Sequence, residues 1–160
     1  MALGGNPEDL RAHARRVRAA ADDLDRTESR VRAGAGIEWV GVAADRYRDR
    51  LADHARQVDR ARGELVAAAA AVTHLADTLE ERQAAIKKAM HFVDDAIHAA
   101  SRTVERLSAQ AAHTALTSSE AVAKAGAEAI LGHRVRLPQV GSPDWTSLAD
   151  TIGKSMSWSR

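Results

Sequence analysis

Apolar positions recur along this chain at helical spacing. From Leu10 the apolar residues Leu10, Val17, Leu24 and Val31 return every seven residues, with Ala14 and Ala21 filling the i+4 positions. A narrow stripe of this kind is the seam of a helix packed on another helix, not a broadly buried face. Asn6 is a good N-cap, Pro7 suits the first helical position, and Glu8 and Asp9 complement the positive helix end. Arg11, Arg15, Arg16, Arg18, Asp22, Asp23 and Asp25 occupy the remaining faces and read as a solvated surface laced with salt bridges. Gly34 and Gly36 interrupt the pattern and predict a turn, because each glycine costs about 1 kcal/mol in a helix interior.

A second, much longer register follows. Ala44, Leu51, Val58, Leu65, Val72, Leu79, Ile86, Val93, Ala100 and Leu107 keep one seven-residue spacing, supported at i+4 by Ala55, Ala69, Ala76, Met90, Ile97 and Val104. No proline intervenes, and Gly63 is the only glycine. Such a sustained register requires partner helices along its whole length. The first helix is too short for that: Pro7 to Ala33 spans about 40 Å, whereas Val42 to Ala115 spans about 110 Å. Leu79, Ile86, Met90, Val93, Ile97, Val104 and Leu107 are therefore expected to form an interface. Left bare, they exceed the apolar patch that a soluble monomer carries. Three arrangements satisfy them: a helix break at the polar stretch Glu80 to Lys88 with fold-back, dimerisation, or cover by a different protein.

Thr117, Ser118 and Ser119 predict a stop and a fresh N-cap, Glu120 to Leu131 a short alanine-rich helix, and Gly132 its end. At about 18 Å that helix covers only a small part of the seam. Pro138, Gly141, Ser142 and Pro143 mark an irregular linker. Beyond it, Leu148, Ile152 and Met156 lie at i+4 spacing between Trp145 and Trp158, and predict a short helix in a tail that docks on its own bundle or on a partner. The expected organisation is a hairpin over residues 6–88, a helical extension over 89–131, and a linker and tail over 132–160.

Composition sharpens this picture. Apolar residues make up 45% of the 160 but aromatics only 3%, the signature of long helices packed by small side chains. A net charge of +1, with arginines interleaved among carboxylates, gives no global field for nucleic acid or an acidic membrane. The absence of cysteine removes disulfides and thiolate chemistry. The first residues, M-A-L-G-G-N-P-E-D-L, have neither the basic nor the apolar region of a Sec signal. The apolar run Leu65 to Val72 is far short of the roughly 20 residues of a membrane span.

Little here suggests catalysis. His91, Asp94, Asp95 and His98 fall on adjacent turns, and Asp95 to His98 has the carboxylate-x-x-His spacing of helical di-metal bundles. No second matching set exists, so these are read as solvated residues flanking the core positions Met90 and Ile97. There is no phosphate-binding loop, no H-E-x-x-H and no nucleophile elbow. The expectation is a non-enzymatic protein with no metal and no cofactor.

The stretch Ile37 to Leu51 carries a resemblance. Trp39-Val40-Gly41 lies at the break between two helical regions, with about 30 residues of helix before it and Ala43-Ala44-x-x-Tyr47-x-x-x-Leu51 after it. From Asn6 to Lys88 the chain resembles the WXG superfamily, small helical-hairpin proteins of type VII (ESX-type) secretion in actinobacteria and firmicutes. The resemblance implies an all-α antiparallel helical hairpin whose turn presents Trp39 and Gly41. It implies a protein partner, as a homodimer or as a heterodimer with a WXG-like protein or an effector. It also implies recognition by the type VII secretion ATPase and export by that route after a cytoplasmic stage. In the family the turn cooperates with a Tyr-x-x-x-Asp/Glu signal. This chain departs from that pattern: its only tyrosine, Tyr47, is followed four residues on by Leu51. Either a partner supplies the signal, or the chain is a helper or effector-specific chaperone that is not exported. A cytoplasmic coiled-coil homo-oligomer is the reading without secretion.

Overall fold

A computed structural model of the chain describes residues 5–34, 36, 38 and 40–157. Their elements are four α-helices and one short 3-10 turn, with no strand among the described residues: α1 Pro7–Gly34, α2 Val42–Ala111, α3 Ser118–Gly132, the turn His133–Arg136, and α4 Asp144–Ser157. The all-α expectation holds. Two compact units divide the chain, Gly5–Glu80 and Glu81–Arg160, and α2 contributes its first part to one and its second part to the other. The boundary falls in the polar stretch where the sequence allowed a break, but the helix is continuous through it.

In the first unit α1 begins as its local sequence dictates, the Glu8 amide donating to the Asn6 side chain at 3.1 Å. Contacts between α1 and α2 run in opposite directions along the two helices. Arg11 meets Asp77 at 2.8 Å and also Glu80, Arg62 meets Asp25 at 3.2 Å, and Gly34 lies in van der Waals reach of Leu51. Among the described residues of this unit, those buried are Ala14 and Ala21 on α1 and Ala44, Ala55, Ala69 and Ala76 on α2. With them lies Glu28, which continues the seven-residue series of Ala14 and Ala21 as a buried charge. Its Oε1 lies against the Arg32 guanidinium but without the geometry of a hydrogen bond. The Leu and Val rows on either side remain part-exposed. The centre of this seam is thus the alanine row, not the Leu and Val row of the sequence register. Small side chains at the contact let the helix axes approach closely, and that displaces the larger residues to the flanks.

The second unit is built differently. Ala89, Val93, Ala96, Ile97 and Ala100 of α2, Ala127 and Ile130 of α3, and Trp145 and Ile152 of α4 form one buried cluster. Ile86, Met90, Val104, Leu131 and Leu148 pack against it. The connection from α2 to α3 is fixed by a capping box. Thr117 accepts from the Glu120 amide at 3.3 Å, and Glu120 accepts from the Thr117 amide at 2.8 Å. Gln110 of α2 donates to the same carboxylate at 2.8 Å. These bonds hold Glu120 below the usual carboxylate range, the Thr117 amide making the largest contribution. Gly132 does not end α3 in a left-handed cap: its φ is −58°, and the chain passes into the 3-10 turn instead. The Ser142 hydroxyl accepts from the Asp144 amide at 3.2 Å at the start of α4. Trp145, Leu148 and Ile152 then share the face turned to the cluster.

Candidate partner-binding surface

Every interface residue read from the sequence is placed by the structure. Val93, Ile97 and Leu107 are buried within the chain, while Ile86, Met90 and Val104 are partly buried against the same cluster. The open seam expected over Ile86 to Leu107 is therefore corrected: α3 and α4 of the same chain supply its cover. The sequence argument weighed only the short α3 against the seam; the tail expected to dock on the bundle or on a partner docks on the bundle, as α4. Leu79 belongs to the first unit, partly buried, with a methyl carbon 3.5 Å from where a side chain on Gly5 would begin.

What stays incompletely covered is in the first unit. Among the described residues of Gly5–Glu80, no apolar side chain larger than alanine is fully buried. Val17, Leu24, Leu51, Val58, Leu65 and Val72 flank the alanine seam at intermediate exposure, and Leu75 is exposed. Two helices form a line of contact and cannot enclose the flanks of that line, so a third surface is needed to bury them.

The edges of the seam open into two hollows. One, of about 500 Å³, is lined by Ala14, Ala69 and Ala70 together with Arg11, Arg15, Arg18 and Asp77. The other, of about 300 Å³, sets Leu51 and Ala55 among Arg32, Arg48 and Arg56. Arg11 is committed to Glu80, Asp77 and Glu8, whose hydrogen bonds raise its pKa above the ordinary value. The sequence reading placed Arg11, Arg15 and Arg18 on a solvated face laced with salt bridges, and the pairs of Arg11 with Glu8, Asp77 and Glu80 accord with that. The placement of these arginines beside the alanines depends on which row of α1 faces α2, and periodicity alone did not settle that.

At the α1–α2 connection, Gly41 has φ +115°, a conformation that side chains rarely adopt, and its carbonyl accepts from the Asp45 amide at 3.1 Å as α2 begins. No described atom lies within 4 Å of where its Cβ would sit, so backbone angle rather than space selects glycine there. Val40 and Val42 are exposed beside it. Trp39, named from the sequence as the turn residue, lies outside the described residues.

His98 lies 3.7 Å from Asp94 on the surface of α2, and no grouping of three or more possible metal ligands occurs among the described residues. No described helix is long and apolar enough to cross a membrane. No family model, curated protein or solved structure matches the chain.

Proposed function

We propose that the chain is a non-enzymatic, WXG-like component of a type VII secretion system. Gly5–Glu80 acts as an antiparallel hairpin turning at Trp39-Val40-Gly41, and it pairs helix-to-helix with a partner protein. The observation that carries this reading is the part-exposed rows along the alanine seam of α1 and α2. They ask for a third or fourth helix, and Arg15 and Arg18, which have no carboxylate partner among the described residues, favour one with carboxylates at its flank. Further support comes from the opposed contacts of Arg11 with Asp77 and Arg62 with Asp25, and from the glycine-specific angle at Gly41. The paired surface and the exposed turn are what the export ATPase reads, and the Tyr-x-x-x-Asp/Glu signal comes from the partner.

The test is export from the native host with and without its type VII ATPase, by immunoblot of cells and medium with a cytosolic lysis control. ATPase-dependent appearance in the medium, reduced by Trp39→Ala and by Gly41→Ala, is the expected outcome. Strict retention in cells removes the substrate role and leaves a chaperone or structural oligomer.

A further inference from the structure

We propose that the segment 133–140, between α3 and α4, is a docking site for an anionic lipid surface. Two aliphatic side chains project there, Val135 at 88% exposed and Val140 at 71%, while Leu137, 44% exposed, lines a hollow beside Trp145. Between Glu128 and Asp144 the sequence has no aspartate or glutamate, yet it has Arg134 and Arg136 interleaved with these apolar residues. Neither arginine pairs with a carboxylate among the described residues. The nearest acidic residue along the chain after them, Asp144, accepts from the Ser142 hydroxyl at 2.9 Å in the cap of α4.

The segment is also fastened in place. The Gln139 carbonyl accepts from the buried Trp145 indole at 2.9 Å and from the Ser142 amide at 2.9 Å. Gly141 closes the bend at φ +89°. The loop therefore presents its apolar tips without first having to be ordered, which lowers the cost of docking. Aliphatic tips flanked by guanidinium groups match a membrane interface, where the tips enter the acyl boundary and the guanidinium groups meet lipid phosphates. An acidic protein fits less well. Protein hot spots are enriched in large aromatic anchors, and 133–140 has no Phe, Tyr or Trp, whereas Val135 and Val140 are aliphatic and stand in solvent.

The experiment is co-sedimentation of the full chain with vesicles of phosphatidylcholine alone and of equal parts phosphatidylcholine and phosphatidylglycerol. Binding is expected on the anionic vesicles only, weakening as salt is raised. Arg134→Gln and Arg136→Gln each weaken it by about five-fold, the equivalent of about 1 kcal/mol per basic residue near an anionic surface. Val135→Ser with Val140→Ser weakens it as well, whereas Val122→Ser, an exposed position on α3, leaves it unchanged. Circular dichroism of each variant should match the parent, since none of these side chains is buried. Equal binding to both vesicles, or binding that survives both the arginine and the valine variants, overturns the proposal. So does a chain that ignores vesicles but loses an acidic protein partner when Arg134 and Arg136 are replaced.

Discussion

Among the described residues of Gly5–Glu80 those buried are six alanines and one glutamate; in Glu81–Arg160 they include Val93, Ile97, Leu107, Ile130, Trp145 and Ile152. The same long helix, α2, serves both units with the same seven-residue register. What differs is the number of helices laid on it. One helix, α1, makes a line of contact, and small residues at that line draw the backbones together while the Leu and Val rows stay at the edges. Two helices, α3 and α4, make a pocket that encloses large side chains. Each fully buried aliphatic side chain is worth about 1.5–3 kcal/mol, so the second unit completes its own core and the first does not. A buried carboxylate in the first seam points the same way: Glu28 weakens self-sufficiency, and polar seam residues are best known as devices that fix register and partner.

The largest expected effect lies in the second unit. Ile152→Ala empties a site with no exposure and should destabilise that unit by about 2–5 kcal/mol in denaturant unfolding. A loss near zero would mean that α4 is a loosely held tail. In the first unit the sensitive change is the reverse one. Ala21→Leu overfills a position of the seam with no exposure and should cost about 1–3 kcal/mol, read as faster hydrogen exchange in α1. If leucine is tolerated there, the alanine row is not the contact line. Thr117→Ala removes the cap of α3 and should cost about 1 kcal/mol. The same cap makes stability depend on pH. Glu120 titrates lower folded than unfolded, so its contribution is complete above its unfolded pKa and is lost as pH falls through the folded value. Glu120→Gln should flatten that acid-side loss in thermal melts, and an unchanged melting profile against pH would contradict it. The smallest effect is a gain. Gly63 is helical, with nothing within 4 Å of an added Cβ, and Gly63→Ala should stabilise by about 0.5–1 kcal/mol.

Local chemistry made much of this fold legible. Asn6 and Pro7 at the start of α1, the break after Gly34, and Thr117 with Glu120 at α3 are short-range signals, and each appears where its residues predict. The failures are tertiary. Periodicity located the seam but not its centre, because alanine rows carry little apolar signal beside Leu and Val rows and win only when two backbones come close. The tail docks on the chain's own bundle, one of the expected outcomes, but the depth of burial of Trp145 and Ile152 depends on the α3–α4 connection folding back, which no local motif encodes. Gly132 does end α3 as its residue type predicts, but by passing into a 3-10 turn and not through a left-handed residue. Glu28 was hidden in a charged face, although its seven-residue spacing from Ala21 was visible and was the one signal available.

The central claim is that Gly5–Glu80 is a helix pair lacking part of its packing surface, whereas Glu81–Arg160 is complete. Amide hydrogen exchange on the full chain, at a concentration where it is monomeric, tests this directly. The account predicts that amides across Ala14 to Val31 and Leu51 to Val72 exchange much faster than those across Val93 to Leu107 and at Ile130. Equal, strong protection in both units would show that the alanine seam is sufficient alone, and the case for a partner on that surface would fall.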